Sequence, residues 1–241
     1  MAEVDLDRLA AGYRHRPPSH ASLERARLAG EGLHSGSAIL DVGGGPGHHA
    51  GVWRDLGHRP VVLDPAGEMI RPAAERGITV VRGVSQALPF RDKSFDLAWF
   101  HLSLHYGDWP MAVDEAVRVT KRGGRVEIWT LAPDHHATSM LARWFPSVTA
   151  VDAARFPESP TVEAYLRKAT DEVDRTTVIE HKAPTAGEWV AAVEAGFVST
   201  LQFVDAHELR TGIAAFCAAN PDPAVEVAYQ LRLDHIVATA R

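Results

Sequence analysis

Short apolar segments alternate with amphipathic ones through the first half of the chain. The apolar segments have the length of buried strands, and they lie at 38–42, 61–64, 78–81, 95–100 and 125–131. Helical periodicity fills three of the intervals between them, at 48–57, 67–76 and 110–120. Apolar runs that alternate with helices are typical of a parallel sheet with helices on both faces. The pattern therefore predicts an α/β fold.

Further helices and strands are predicted on either side of this region. Two short helices precede the first strand, at 5–14 and 19–30, and Ser19 is the expected N-cap of the second. The glycine pair at 123–124 predicts a turn in front of the fifth strand. After Pro133 the pattern is less regular. We expect strands at 173–180 and 231–238 there, and helices at 137–145, 160–171, 185–204 and 206–219.

The chain contains no internal repeat and no linker rich in glycine and serine. We therefore expect a single domain over residues 1–241. Its parts are an N-terminal helical segment, a cofactor-binding core, a strand with cap helices and a closing strand, at 1–33, 34–133, 134–220 and 221–241. Apolar positions in the cap helices need a surface to cover, so we expect these helices to lie over the carboxyl-terminal edge of the sheet.

Composition and charge narrow the classes of partner. The chain has 25 Lys and Arg against 31 Asp and Glu, a net charge of −6, and no long basic run, which argues against nucleic acid. Its one cysteine, Cys217, excludes an intrachain disulfide, and its apolar helical context predicts a packing role. Neither a signal peptide nor an apolar run of about 20 residues is visible. We expect a cytoplasmic monomer or homodimer without a membrane partner.

A glycine-rich segment, 43–47, lies between the first strand and the following helix. One acid, Asp41, precedes it, and a second, Asp64, follows it at the end of the next strand. Glycines allow a tight turn and let the backbone approach a ligand closely. Asp64, at the end of the second strand, can accept hydrogen bonds from both hydroxyls of a ribose. Asp41, two residues before the glycines, is badly placed for a pyrophosphate but suits a cation. S-adenosylmethionine carries an ammonium and a sulfonium, so the residues favour it over NAD.

Six segments resemble the class I S-adenosylmethionine-dependent methyltransferases of the type 11, or ubiquinone/menaquinone-methyltransferase-like, group. In chain order they lie at 13–18, 39–47, 83–90, 94–97, 104–105 and 119–124. The resemblance implies a Rossmann-like sheet of seven mostly parallel strands with the last one antiparallel, helices on both faces and a helical cap. It also implies S-adenosyl-L-methionine as cofactor and methyl transfer to an O, N or C atom of a small-molecule acceptor.

Residues of these segments, and others near them, are implied to bind the cofactor. They are Tyr13, Arg16, Asp41, Gly43, Gly45, Gly47, Asp64, Pro65, Met69, Val84, Ser85, Gln86 and Phe100. Two departures from the family pattern stand out. Val84 replaces an acid that usually contacts the adenine, and the glycine segment at 43–47 replaces a frequent G-C-G-T-G.

Histidines supply the candidate catalytic groups. His101 and His105 follow the fourth strand, where a parallel sheet presents its ligand-facing loops, so each is a candidate base or a packing residue. His15 and His20 lie at the N-terminal segment around 13–18 and are further candidates. The sequence has thirteen histidines but neither H-x-x-x-H nor H-E-x-x-H, so we expect no metal site.

Three functions stay open on the sequence. The first is methyl transfer to a small molecule. The second is a protein that binds S-adenosylmethionine or its demethylated product without methyl transfer. The third is a nicotinamide-dependent oxidoreductase, which would use the same glycine segment for a dinucleotide.

Overall fold

A computed structural model describes residues 4–13 and 18–241 of the chain. The strands are β1 Ala38–Val42, β2 Arg59–Asp64, β3 Thr79–Arg82, β4 Phe95–His101, β5 Thr120–Leu131, β6 Thr170–Lys182 and β7 Tyr229–Ala240. The helices are α1 Leu6–Tyr13, α2 His20–Glu31, α3 His48–Asp55, α4 Gly67–Glu75, α5 Trp109–Val119, α6 His135–Thr138, α7 Met140–Trp144, α8 Ser147–Arg155, α9 Ser159–Leu166, α10 Ala186–Glu194 and α11 Ala206–Ala219. Short 3₁₀ helices lie at Leu104–Tyr106 and Ser199–Phe203.

The seven strands form one sheet in the order β3-β2-β1-β4-β5-β7-β6. Six strands are parallel and the last is antiparallel, which confirms the predicted α/β, Rossmann-like fold. The strand order reverses between β1 and β4, which pair in parallel with Asp41 beside Trp99. In open α/β sheets, ligands bind at the carboxyl ends of the strands at such a reversal. The topology therefore directs attention to the loops that follow β1, β2 and β4.

The chain divides into two compact units. The first, the sheet unit, consists of residues 18–130, 157–177 and 234–241. The second, the helical unit, consists of residues 4–13, 131–156 and 178–233. The single-domain organisation and the cap over the sheet edge stay predictions.

Side chains of alternate strand residues divide the sheet unit into two faces. On one face, Leu40 and Phe100 are fully buried in an apolar core with Val113 of α5. On the other face, Trp99 packs edge-on against Trp53 of α3, with ring centroids 5.6 Å apart. Because side chains point to opposite faces at successive strand positions, neighbouring residues of β4 belong to different environments.

The helical unit has an apolar core of its own. Phe145 stacks on Trp189 with centroids 6.1 Å apart, and Trp189 lies 4.1 Å from Phe216. A buried polar group lies within the same unit, where the Arg155 guanidinium donates to Ser199 Oγ at 2.9 Å. No helix in the described residues has both the length and the apolar character that spanning a bilayer requires.

Most predicted elements are present, and the differences have local causes. The strand predicted from residue 125 begins at Thr120, because β5 continues through a bulge in which Phe95 pairs with Thr120 and Leu97 with Arg125. Gly123 has a φ of +75° there, so the glycine pair forms the bulge instead of a turn that ends the strand.

Four further differences lie in the helical unit. The helix predicted over 185–204 ends at Glu194, because Gly196 with a φ of +66° stops it, and a 3₁₀ helix follows. The helix predicted over 137–145 is split at Ser139, whose side chain caps α7. Helix α8 was not predicted. The packing role predicted for Cys217 is wrong, since its side chain is exposed.

Substitution of glycine by alanine is expected to have opposite effects on stability at two helical positions, Gly212 and Gly51. A Cβ at Gly212 of α11 would lie 2.4 Å from Phe145 Cε1, so Gly212→Ala should lower the free energy of unfolding by about 1–3 kcal/mol. A Cβ at Gly51 of α3 would meet nothing within 4 Å, so Gly51→Ala should raise it by about 0.5–1 kcal/mol. Urea denaturation of both variants checks this, and a stable Gly212→Ala would contradict the packing of α11.

Candidate functional site

The glycine segment after β1 forms a tight loop at the reversal point of the sheet. Gly43, Gly45 and Gly47 have φ values of +69°, +49° and +70°, in the left-handed region that favours glycine. The Gly43 N–H donates to the Leu63 carbonyl of β2 at 2.7 Å. A Cβ at Gly44 would lie 2.4 Å from Cγ of Asp41. The loop therefore needs glycine both for its conformation and for its close approach to the carboxylate.

Asp64, at the end of β2, is held by the backbone on both of its oxygens. Its Oδ1 accepts from the Ala66 N–H at 2.9 Å, and its Oδ2 accepts from the Gly45 N–H at 3.2 Å. Burial raises the pKa of Asp64, and these two N–H groups act in the opposite direction. A carboxylate has about four lone-pair sites, so both oxygens can still accept from a ligand. This geometry suits a pair of ribose hydroxyls.

Asp41, on β1, is a buried acid with one oxygen unsatisfied. The residue is 1% exposed, and its Oδ2 has no hydrogen-bond partner among the described residues. Burial, with a further contribution from the Asp64 carboxylate, raises the pKa of Asp41 to about 7 against the opposing effect of the Ala50 N–H. A buried acid without a partner is stabilised by a cationic group. The loop and its two acids therefore fit the ammonium and the ribose of S-adenosylmethionine.

Met69 borders this loop, and Pro65 follows Asp64 at the end of β2. A Cβ at Gly45 would lie 3.4 Å from Met69 Cε, so the methionine covers the loop closely. The Pro65 carbonyl accepts from the Arg82 guanidinium at 2.9 Å. Both predicted residues therefore lie where the chain leaves β2.

The segment after β3 combines an exposed apolar side chain with a polar pair. Val84 is 39% exposed. Ser85 Oγ donates to Gln86 Oε1 at 3.3 Å, and a Cβ at Gly107 would lie 2.6 Å from the same oxygen. Gln86 therefore brings the loop after β4 close to the segment after β3, and the roles of these residues toward an adenine stay predictions.

Two neighbouring residues at the end of β4 lie in different environments. Phe100 is fully buried in the apolar core, so only its backbone is available to a cofactor. His101 points to the opposite face, where its ring stacks at 8° on Trp99 with centroids 6.3 Å apart. The His49 ring lies edge-on to His101 at 4.7 Å. His101 is therefore part of an aromatic cluster and is still partly exposed.

The remaining candidates are less well placed or not described. His105 lies in the 3₁₀ helix after β4 with its ring centroid 4.1 Å from that of Tyr106. His20 is exposed at the start of α2. Tyr13 ends α1 in the helical unit, and its role stays a prediction. Arg16 and His15 lie outside the described residues. Within the described chain, no three His, Cys, Asp or Glu side chains are grouped as metal ligands.

The structure also brings together residues that the sequence reasoning missed. Trp129 of β5 pairs in register with His101, and their ring centroids are 6.4 Å apart. His235 of β7 stacks on Trp129 at 3.9 Å and 9°. The signal for Trp129 was its place near the end of the fifth apolar run, because parallel strands end at the same edge of a sheet. No comparable signal pointed to His235.

The raised pKa of Asp41 predicts a specific dependence of stability on pH. The folded protein binds this proton more tightly than the unfolded chain, so the group's stabilisation is largest below its ordinary pKa and is lost as pH rises to about 7. One such group changes the free energy of unfolding by at most about 1.4 kcal/mol per pH unit. Asp41→Asn should therefore gain stability relative to the wild type between pH 5 and pH 7.5. Urea denaturation at both values measures this, and an unchanged difference would show that Asp41 is already ionised.

Comparison with known proteins agrees with this geometry. Residues 40–128 match a family described as "Methyltransferase domain". Malonyl-[acyl-carrier protein] O-methyltransferase of Erwinia billingiae is 38% identical over 136 residues, which are 53% of this chain and 53% of that protein. Demethylmenaquinone methyltransferase of Thermobifida fusca is 32% identical over 156 residues, 60% of this chain and 66% of that protein. The chain spans about half the length of the curated relatives it matches.

A solved structure extends the likeness over most of the fold. A proposed methyltransferase of an antibiotic biosynthesis pathway from Anabaena variabilis has a TM-score of 0.75 and 17% identity, and the match covers 93% of this chain and 99% of that one. At this identity the likeness concerns the fold. The glycine loop and its two acids thus lie on a fold of this kind, and residues 40–128, which contain the loop and both acids, match the methyltransferase domain.

Proposed function

We propose that the protein transfers a methyl group from S-adenosylmethionine to an O, N or C atom of a small-molecule acceptor. One observation carries this proposal: two buried acids flank the glycine loop, and Oδ2 of Asp41 has no partner among the described residues. A pyrophosphate beside these acids would meet repulsion, whereas a cationic ligand is stabilised. This argues for S-adenosylmethionine and against a nicotinamide dinucleotide.

Each part of the loop has a role in holding the cofactor. Asp64 accepts from the ribose hydroxyls with the lone pairs that Gly45 and Ala66 leave unused. Asp41 neutralises the ammonium. The left-handed glycines let the backbone approach without a Cβ in the way. The bound cofactor supplies an electrophilic methyl group, and the side chains of the protein orient the acceptor toward it.

His101 is the residue we assign as the base. His101 is the last residue of β4. The loop that follows it is held to β1 by Ser103, whose Oγ donates to the Val42 carbonyl at 2.6 Å. A neutral imidazole can take a proton from a hydroxyl at cellular pH. Burial lowers the pKa of the adjacent His49 to about 3, so that ring stays uncharged. His105 is the alternative base.

The acceptor is a small molecule on this proposal. The net charge of −6 offers no track for a nucleic acid, and we propose a cytoplasmic monomer or homodimer. The names of the relatives supply two acceptors to test, a malonyl thioester and demethylmenaquinone.

Binding and turnover test the function in sequence. Calorimetry should detect S-adenosylhomocysteine binding and no NADH binding. Formation of S-adenosylhomocysteine from S-adenosylmethionine should then depend on an added acceptor, beginning with a malonyl thioester and a reduced demethylmenaquinone. NADH binding without S-adenosylhomocysteine binding would reject the proposal. Cofactor binding with no turnover on a broad acceptor panel would favour a binding protein.

Asp64→Ala should weaken S-adenosylhomocysteine binding by about 2 kcal/mol or more, because two ribose hydroxyls lose their shared acceptor. Asp55→Ala is the matched control, since Asp55 at the end of α3 has an exposed side chain that pairs with Arg54. Calorimetry on both folded variants decides. Equal dissociation constants for Asp64→Ala and the wild type would show that Asp64 does not bind the ribose.

His101→Asn should lower the methyl-transfer rate by about 10²–10⁴-fold for an acceptor that must lose a proton, with S-adenosylhomocysteine affinity nearly unchanged. His34→Asn, on an exposed residue in front of β1, is the control and should keep the full rate. Steady-state kinetics and calorimetry together give both readings. A full rate for His101→Asn would make His105 the residue to examine next.

A further inference from the structure

Two buried indole groups beside His101 have N–H groups without a hydrogen-bond partner. Trp99 is fully buried and Trp129 is 5% exposed. Among the described residues, neither Nε1 atom has an acceptor. By contrast, Trp53 Nε1 on the same face donates to the Ala26 carbonyl at 2.7 Å. A buried N–H that stays unpaired is costly, so these two groups call for a partner that the described residues do not supply.

The strand register places both indoles around the candidate base. Trp129 of β5 lies opposite His101 of β4, and Trp99 precedes His101 on the same face by two residues. The rings of Trp99 and Trp129 are 6.1 Å apart, and each is between 6.3 and 6.4 Å from the His101 ring. The two unsatisfied donors therefore lie beside the group that we assign to proton transfer.

The Trp129 ring is held in place by its neighbours. His235 stacks on it at 3.9 Å, and His235 Nε2 lies 2.9 Å from Glu127 Oε2. Glu127 also pairs with Arg125 at 3.3 Å, and Arg125 donates to the Ala29 carbonyl of α2 at 2.7 Å. An N–H that is fixed before the ligand arrives binds it with little loss of side-chain entropy.

The donor chemistry of the indole N–H groups favours a negative partner. An indole N–H only donates, so its partner must offer a lone pair. The Arg25 guanidinium lies 4.7 Å from the Trp129 ring. The nearby Glu127 carboxylate already pairs with Arg125. A charged acceptor makes the stronger hydrogen bond to an N–H donor, so an anionic oxygen is the favoured partner.

From this arrangement we infer that Trp99 and Trp129 bind an anionic oxygen of the methyl acceptor, as in a carboxylate or a phenolate. The inference rests on the proposed function, because it names the acceptor class for the same site. It makes the two tryptophans substrate-binding residues and distinguishes anionic acceptors from amines. A phenol reaches the anionic form by losing its proton to His101, whereas a carboxylate needs no base.

The test uses the full chain saturated with S-adenosylhomocysteine and benzoate as the probe, since benzoate carries a carboxylate on a planar ring. In a ¹H–¹⁵N spectrum, the indole protons of Trp99 and Trp129 should move downfield and saturate as benzoate is added. Benzylammonium, which lacks the anionic oxygen, should leave both resonances unmoved. Indole protons that do not respond to benzoate overturn the inference and leave water as their partner.

A substitution gives the second reading. Trp129→Phe removes the N–H but keeps a ring between the same neighbours, and it should weaken benzoate binding about 10-fold with S-adenosylhomocysteine affinity unchanged. Trp109→Phe is the control, because Trp109 packs against Tyr165 at the core on the other face. Equal benzoate affinity in Trp129→Phe and the wild type would also overturn the inference.

The two proposals fail in different ways. If the wild type does not bind S-adenosylhomocysteine, the proposed function is wrong. If it binds S-adenosylhomocysteine normally and benzoate leaves the indole protons unmoved, only the acceptor class is wrong. The wild-type titration needs no substitution, so the outcome does not depend on whether Trp129→Phe folds.

Discussion

The hydrogen bonds from the Gly45 and Ala66 N–H groups to the Asp64 carboxylate are the interaction on which the cofactor site depends. They tie the loop after β1 to the end of β2, at 3.2 and 2.9 Å. The same bonds favour an ionised carboxylate against the burial that raises its pKa. Since a Cβ on Gly44 would overlap Asp41, glycine in this loop also makes room for the second acid. The conformation of the glycine loop and the positions of the two acids therefore depend on each other.

The pleat of β4 sets the next level of organisation. Phe100 closes the apolar core, and the following residue, His101, points to the opposite face of the sheet. The register with β5 then puts Trp129 beside His101 without any contact between the two segments in sequence. A one-residue slip between these strands would send Trp129 to the other face and dissolve the cluster. The candidate acceptor site thus depends on strand register as the cofactor site depends on the loop.

Local signals explain what the sequence could predict. Strand β1 has the predicted bounds, and the spacing of Asp41, the glycines and Asp64 pointed to the acids that the structure brings to one loop. Helix α8 depends on tertiary packing, and the bulge of β5 depends on the left-handed conformation of Gly123. Hydrophobic periodicity indicates neither of them. Trp129 was missed for a related reason. Its neighbours come from β4 and β7, and only pairing between strands reveals them.

In the sheet unit, charged and polar groups of opposite character lie at the two proposed binding sites, one for the cofactor and one for the methyl acceptor. Buried carboxylates, Asp41 and Asp64, lie at the loop that we assign to a cationic cofactor. Indole N–H donors and the Arg25 guanidinium lie where we place an anionic acceptor. Methyl transfer from a sulfonium to an anion removes one charge from each partner. The methylated acceptor would therefore lose its attraction to the donors, whereas S-adenosylhomocysteine keeps the ammonium and the ribose hydroxyls that we assign to Asp41 and Asp64. The field that binds the acceptor would thus also favour release of the methylated product.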